Sequence, residues 1–335
     1  MDCQSLNFRP VQTTTKAAMA LTLRISDAAH AYGLDNYSAF TGSGNAAKLG
    51  QLSGYTSSFG DNPVIGQAST ITLNFSGGFT ADVLFTIRSA QFADITAMTL
   101  RKGGSNAALQ TVSGFIGVST ASLTNLSDST LFFGADTLVG NNFNNILQGW
   151  GGADRIDGGA GVDTAVFSGL RSQSTVVRTT DGSLTVTGPD GADTLVNVER
   201  LKFSNTHVAL DTAGNGGQAY RLYQAAFNRT PEAAGLGFQI NAMDSGLGLK
   251  QLAQNFLNSP EFSRSYGSLD NTAFITRLYQ NVLHRGPDAA GLAYHANDLA
   301  TGASDRAQLL ANFSESPENQ AALIGSIQNG MAYTL

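Results

Sequence analysis

Residues 131–166 read LFFGADTLV GNNFNNILQ GWGGADRID GGAGVDTAV, which are four consecutive windows of nine residues. Set against the pattern G-G-x-G-x-D-x-U-x, with U an apolar residue, the windows match three, two, four and five of the five defined positions. One such match is a weak signal, but four in phase indicate a true repeat. The glycines let six residues turn and the next three form a short strand. The period therefore predicts a parallel β-roll in which two windows make one coil.

The acidic positions of this roll are predicted to pair between coils. Stacking each window on the window two earlier brings Asp136 to Asp154 and Asn145 to Asp163. Side-chain oxygens would then meet the carbonyl oxygens of the glycine loops, an oxygen-only set that suits Ca²⁺ and suits zinc poorly. We expect two calcium sites, the second weaker because it has an amide in place of a carboxylate. The predicted metal-binding residues are Asp136, Asp154, Asn145 and Asp163, with the loop glycines Gly134, Gly149, Gly152, Gly158 and Gly161.

The apolar positions of the windows supply only a thin core. They are Leu138, Leu147, Ile156 and Ala165, one inward-facing side chain for each window. With so little to bury, metal binding should contribute much of the folding free energy. The alternative is that degenerate repeats persist as a metal-free solenoid or a glycine-rich loop.

These windows resemble the RTX calcium-binding β-roll. The resemblance implies Ca²⁺ as the cofactor and secretion from a Gram-negative bacterium by a type I system without a cleaved signal peptide. The chain would stay unfolded in the low-calcium cytosol and fold outside. The second window departs from the family pattern at Phe143 and Asn145, and the first lacks both leading glycines.

The segment after the windows is predicted to close the roll. Asp181-Gly182 is a hairpin signal between two strand-like stretches, and this region resembles the β segment that often follows short RTX arrays. The hexapeptide GADTLV occurs at both 134–139 and 191–196. Asp211 lies two window lengths beyond Asp193, but its own window has no glycines before the acid. We therefore expect Asp193 to be a hairpin residue and not a ligand.

The C-terminal part repeats a helical unit. RLYQAAFNRTPEAAGLGF at 221–238 matches RLYQNVLHRGPDAAGLAY at 277–294, and each copy ends in a Ser-Pro-Glu motif. These units resemble the DUF4214 domain of exported bacterial proteins. Arg229 and Arg285 precede the matching prolines of the two copies, and they either contact a glycan or partner or bond internally to a helix end. The predicted core residues are Leu222, Tyr223, Phe227, Leu236, Phe238, Leu252 and Phe256, with Leu278, Tyr279, Leu283, Leu292, Tyr294, Leu309 and Phe313 as their counterparts.

The predicted fold class is α+β multidomain, with a β-rich region, a short parallel β-roll and an all-α repeated domain. We expect a partly helical segment at 1–40, a β-rich domain at 41–130, the roll with its capping strands at 131–211, and the helical domain at 212–335 with repeats at 220–262 and 276–319. The natural start is left open between Met1 and Met19.

Composition and the absence of known catalytic motifs argue against several classes of function. The net charge of −6 and the absence of a Lys/Arg run argue against nucleic acid, and no apolar run is long enough to span a bilayer. No H-E-x-x-H, G-x-S-x-G or phosphate-loop motif is present. We therefore expect a secreted, non-enzymatic surface protein that self-assembles into an S-layer, filament or matrix. The alternatives are a monomeric adhesin or glycan binder and, third, an extracellular hydrolase.

Overall fold

The computed structural model divides the chain into two compact units, residues 1–198 with 202–204 and residues 199–201 with 205–335. The residues that the structure describes are 22–25, 52–57, 68–75, 79–89, 92–102, 108–113, 118–119 and 134–335. Strands are the main regular elements in the described part of the first unit, and helices dominate the second. The layout is α+β, as expected.

The strands of the first unit are mostly short in the roll and longer before it. They are β1 (Thr22–Ile25), β2 (Leu52–Ser57), β3 (Ala68–Phe75), β4 (Phe79–Ser89), β5 (Phe92–Lys102), β6 (Ala108–Ser113), β7 (Val118–Ser119), β8 (Thr137–Val139), β9 (Ile146–Leu147), β10 (Arg155–Asp157), β11 (Thr164–Val166), β12 (Thr175–Arg178), β13 (Leu184–Gly188) and β14 (Gly191–Val196). A short 3₁₀ turn lies at Arg171–Gln173.

The four windows form the predicted roll. Strand β8 pairs in parallel with β10, and β9 pairs in parallel with β11, so each window stacks on the window two earlier. Leu138 lies opposite Ile156, and Leu147 opposite Ala165. All four of these side chains are almost completely buried. The predicted register and the thin apolar core are confirmed.

The roll is continuous with strands on both sides. Along one sheet the order is β12-β13-β14-β10-β8-β1-β6-β5-β4-β3-β2, with β7 pairing β5. Strand β1 adds to β8 in parallel and to β6 in antiparallel fashion, so that one sheet joins strands on both sides of residues 130–131. Thr22–Ile25 lie in the segment 1–40 that is expected to be partly helical, but these four residues form a strand, which their β-branched threonine and isoleucine favour. The remainder of the 1–40 segment lies outside the described residues.

A hairpin follows the array, as Asp181-Gly182 predicts. Strands β12 and β13 are antiparallel, and Gly182 takes the left-handed conformation with φ +89° that this turn requires. Strand β13 then pairs with β14 in a second hairpin that ends the segment. Strand β14 also pairs in parallel with β10, so it closes the roll on that face.

The second unit contains the repeated helices. In the described residues they are α1 (Asn215–Phe227), α2 (Ala233–Asp244), α3 (Leu249–Leu257), α4 (Pro260–Tyr266), α5 (Asn271–Val282), α6 (Ala289–Thr301), α7 (Arg306–Ser314) and α8 (Pro317–Ile327). The last short strands of the chain are β15 (Arg200–Lys202), β16 (His207–Ala209) and β17 (Met331–Tyr333), and β16 pairs with β17. One apolar core runs through the helices of both repeats.

The Ser-Pro-Glu motifs that end the two copies begin helices. Ser259 accepts a hydrogen bond from the backbone N–H of Phe262 at the start of α4, and Ser316 caps α8 in the same way. The earlier prolines, Pro231 and Pro287, precede the cap residues of α2 and α6 and so lie just before the helix.

Two of the predicted core residues are wrong. Phe238 is 71% exposed and Tyr294 is 64% exposed. In α2 the buried positions include Leu236, Ile240 and Met243, which form one helical stripe. A residue two positions after Leu236 points to the opposite face, because successive residues of a helix turn by about 100°.

Candidate metal centre

The first predicted pair, Asp136 and Asp154, lies in one column of the roll. Each residue is 2% exposed. The backbone N–H of Asp136 donates to Oδ1 of Asp154 over 2.8 Å, and the N–H of Arg155 donates to the carbonyl oxygen of Asp136 over 2.8 Å. Two hydrogen bonds thus lock each acidic position to the one stacked beside it. The spacing of two windows produces this arrangement because it equals one coil.

The second pair repeats this geometry on the other face. The backbone N–H of Asn145 donates to Oδ1 of Asp163 over 2.7 Å, and the N–H of Thr164 donates to the Asn145 carbonyl oxygen over 2.8 Å. Asn145 differs from an aspartate because its Nδ2 donates to Oδ1 of Asn141 over 2.9 Å. The Asn145 side chain is therefore already hydrogen-bonded within its own loop.

The predicted glycines lie in the loops beside these side chains. Gly152 has φ +142°, and a Cβ on it would overlap the carbonyl oxygen of Gly134 in the stacked loop. Only glycine allows both this conformation and this approach. The other three also lie against the columns: Gly149 beside Asp154 Oδ2, Gly158 beside Asp163 Oδ2, and Gly161 beside the backbone of Phe143.

Comparison with protein families agrees with this geometry. Residues 132–165 match the RTX calcium-binding nonapeptide repeat, in four copies. This segment is an RTX array. RTX nonapeptides bind calcium, so Ca²⁺ is the ion of the roll. Residues 253–323 match the domain of unknown function DUF4214, which covers the end of the first helical copy and the second. No curated protein and no solved structure matched the chain.

Buried carboxylates lie close together in and beside the RTX array, and burial raises the pKa of two of them. The pKa of Asp154 is raised to about 8, chiefly by burial and also by the nearby carboxylates of Asp193 and Asp136, although the backbone hydrogen bond from Asp136 lowers it. Burial likewise raises the pKa of Asp193 to about 6, although hydrogen bonds from Asp154 lower it. Acidic groups held together in low dielectric destabilise one another when ionised. A cation between the loops would remove that repulsion.

The residues of the array fit a calcium ion. Oδ2 of Asp154 is buried, turns toward Gly149 in its own loop, and has no hydrogen-bond partner within the part of the chain that the structure describes. No group of three or more His, Cys, Asp or Glu side chains converges there or elsewhere in the described residues. The remaining ligands would therefore be backbone carbonyl oxygens, which Ca²⁺ accepts and zinc does not favour. Asp136, Asp154 and Asp163 are the carboxylates that would hold calcium in this array.

The expectation for Asp193 is confirmed in one respect and incomplete in another. Asp193 lies in the second strand of the β13–β14 hairpin, as predicted. It also continues the column of the RTX array, because the N–H of Asp154 donates to Oδ1 of Asp193 over 2.9 Å. Asp193 is 2% exposed.

A sequence signal for this position was missed. Residues 188–196 read GPDGADTLV and match the repeat pattern at four of its five defined positions, as many as the third window. The window is out of phase because the insertion 167–187, whose length is not a multiple of nine, separates it from the fourth. Searching only in steps of nine overlooks it, whereas the verbatim GADTLV points to it.

The two arginines of the helical repeats bond internally. Arg229 Nε donates to Oε1 of Glu261 over 3.0 Å, and the guanidinium lies 4.9 Å from the ring centroid of Tyr223. Arg285 repeats this arrangement with Glu318 and Tyr279. The tyrosine, arginine and Ser-Pro-Glu signatures thus form one cluster in each copy, which favours the internal role over a glycan contact.

No helix in the described part of the chain is long and apolar enough to cross a membrane.

Proposed function

We propose that this protein is a secreted, non-catalytic protein of the bacterial cell surface that folds on calcium and then self-assembles into an extracellular layer, filament or matrix. The observation that carries the proposal is the column of buried carboxylates, Asp136 with Asp154, coupled by the Asp136 N–H to Asp154 Oδ1 hydrogen bond of 2.8 Å. Calcium is the ion of these repeats; export and assembly are the further steps proposed.

Calcium would act as a switch between unfolded and folded states. The coils bury one apolar side chain for each nine-residue window, and they also bury carboxylates that repel when ionised. Such a roll gains little from its core alone, so a ligand that binds only the folded state determines its stability. Low cytosolic calcium would keep the roll unfolded during type I export, and external calcium would then fold it.

Self-assembly is supported by exposed aromatic side chains on the helical unit. Phe238 and Tyr294 occupy the same position of the two repeats, and they are 71% and 64% exposed. Large apolar side chains in water are typical of contact surfaces when they recur at defined positions. Each helical repeat thus exposes one aromatic side chain at the same position. Two equivalent aromatic contacts would suit binding to further copies of the chain.

Light scattering of the full chain tests the assembly step. We expect a larger particle in millimolar calcium than in chelator. The double variant Phe238→Ser/Tyr294→Ser should reduce the calcium-dependent growth while leaving the helical circular dichroism unchanged. Ile324→Ser is the matched control, because Ile324 is also exposed, at 44%, but lies outside the paired position. A monomer in both calcium and chelator would contradict assembly and favour the monomeric adhesin.

A further inference from the structure

The turn at residues 188–191 lies outside the RTX match, yet it docks onto the RTX array as a further loop. We propose that it forms an additional calcium site with the loop at 149–152, and that Asp154 and Asp193 are its side-chain ligands. This inference rests on the proposed calcium-dependent folding of the roll. It extends that proposal beyond residues 132–165, the segment matched by the family.

The hydrogen bonds of the Asp154–Asp193 pair are the same as those inside the array. The N–H of Asp154 donates to Oδ1 of Asp193 over 2.9 Å, and the N–H of Thr194 donates to the Asp154 carbonyl oxygen over 2.7 Å. The Asp136–Asp154 pair makes the equivalent two bonds, each over 2.8 Å. Asp193 therefore holds the position relative to Asp154 that Asp154 holds relative to Asp136.

The loops also stack alike. Gly191 has φ +134°, close to the +142° of Gly152, and a Cβ on it would overlap the Gly152 carbonyl oxygen. The N–H of Gly152 donates to the carbonyl oxygen of Asp190 over 2.8 Å, and the N–H of Ala192 donates back to the Gly152 carbonyl oxygen over 3.2 Å. Two glycine turns thus lie in backbone contact beside the two carboxylates, as they do one coil earlier.

A buried oxygen without a partner points to a ligand at this place. Asp154 is 2% exposed, and its Oδ2 faces the glycine loop at 149 with no hydrogen-bond partner among the described residues. A buried carboxylate oxygen is costly unless it is bonded or coordinates a metal. Asp193 adds a second carboxylate that is also 2% exposed. Two carboxylates and the carbonyl oxygens of two turns supply oxygen ligands of the kind calcium takes.

This site would bring the closing hairpins under calcium control. Strand β14 carries Asp193 and pairs with β10 on one side and β13 on the other. Calcium held between Asp154 and Asp193 would fix β14 on the roll, and with it the strands that 167–187 contributes. The insertion would then be part of the calcium-folded unit although it has no repeat of its own.

Calcium stoichiometry of the full chain tests the proposal through Asp193→Asn. The asparagine keeps an Oδ1 that accepts the Asp154 N–H, and Asn145 already occupies the equivalent position in the roll, so we expect the variant to fold. Isothermal titration calorimetry should count one tight calcium site fewer than in the unaltered chain, because the remaining amide–carboxylate pair binds more weakly, as expected for Asn145 with Asp163. Asp181→Asn is the matched control, because Asp181 lies at the exposed tip of the β12–β13 hairpin. It should leave the count unchanged.

Two further results keep the test decisive. Asp154→Asn should weaken calcium binding more than Asp193→Asn does, because Asp154 belongs to two of the stacked pairs and Asp193 to only one. Native mass spectrometry of the unaltered chain needs no variant to fold, and it should find one calcium more than the two array pairs account for. Equal calcium counts and affinities for Asp193→Asn and the unaltered chain would overturn the additional site while leaving the array intact. No calcium binding by the unaltered chain would instead overturn the proposed function.

Discussion

We expect the side chain at the sixth position of each window to determine how strongly the roll depends on calcium. An aspartate there accepts a backbone N–H with Oδ1 and keeps Oδ2 for a ligand, as Asp154 does. Asn145 fills the same position, but its Nδ2 donates to Asn141 Oδ1 and its Oδ1 accepts the Asn141 N–H, so both of its polar groups are satisfied without metal. A carboxylate therefore gains more from calcium than an amide does, and an amide is easier to bury without it.

Asn145→Asp should raise the calcium affinity of the Asn145–Asp163 pair and destabilise the calcium-free roll. The new carboxylate supplies an anionic ligand, but without metal it faces Asn141 Oδ1 and Asp163 in a buried site. Calorimetry and thermal unfolding with and without calcium measure the two effects. Asn144→Asp, at the exposed neighbouring position, is the control. Weaker calcium binding by Asn145→Asp would show that this pair is not a ligand position.

Gly152→Ala should unfold the roll or cost about 3 kcal/mol in its free energy of unfolding. The methyl group would meet the Gly134 carbonyl oxygen, and alanine rarely takes the φ of +142°. Denaturant unfolding in calcium measures the loss. Gly248→Ala is the control, since a Cβ there meets nothing within 4 Å and φ is −72°. Equal stability of the two variants would contradict the close stacking of the loops.

At the scale of elements, the helical repeats interlock through one asymmetric contact. Arg221 in α1 is 3% exposed and pairs with Glu315, between α7 and α8, through Nε over 2.8 Å and Nη2 over 2.6 Å. Its counterpart Arg277 has no such acid at the matching position, because Asn258 stands where the second copy has Glu315, and it lies over the Tyr266 ring instead. The first copy is thus tied to the second by a buried ion pair.

Arg221→Met should destabilise the helical unit by about 3 to 5 kcal/mol, because it leaves the largely buried Glu315 carboxylate without its partner. Thermal unfolding followed by helical circular dichroism measures this loss. The repeat-matched control is Arg277→Met, which removes an exposed cation–π contact and should cost about 1 kcal/mol or less. Similar costs for the two variants would mean that the pair does not tie the copies together.

The elements differ in how far the sequence predicts them. The nine-residue period predicts the roll, its register and its paired acids, because one coil stacks on the next with a fixed spacing. Ser-Pro-Glu predicts helix starts, because its hydroxyl cap and proline act locally. Strand β1 was missed because its pairing with β8 and β6 is long-range, and its β-branched residues alone do not specify those partners. Phe238 is exposed because it lies on the face of α2 opposite the buried stripe. Its apolar character alone does not predict which face of the helix it occupies.

The place of Asp193 could have been predicted only in part. GPDGADTLV at 188–196 shows the repeat pattern, but its docking as a further loop of the roll depends on the two hairpins that precede it. The insertion at 167–187 breaks the period in sequence, and the fold restores it in space. A nine-residue period in the sequence reveals only coils that follow one another directly along the chain. The coil that contains Asp193 is separated by the insertion, and it is recognised only from the pairing of β10 with β14.

At the scale of the whole molecule, the two compact units should respond differently to calcium. The first unit carries the RTX array, whereas the second has its own apolar core formed by the repeated helices. Removing calcium should therefore reduce β-sheet circular dichroism and leave most of the helical signal. A loss of helical signal equal to the loss of sheet would contradict folding of the second unit on its own core.

Hydrogen exchange of the full chain, with calcium and with chelator, tests calcium-dependent folding of the roll most directly. The backbone N–H groups of Asp136, Asn145 and Asp154 each donate to a carboxylate of the next coil, so their exchange reports whether the acidic columns are formed. We predict strong protection across 134–166 in calcium and its loss in chelator, with α1–α8 protected in both. Equal protection of 134–166 in calcium and in chelator would contradict calcium-dependent folding.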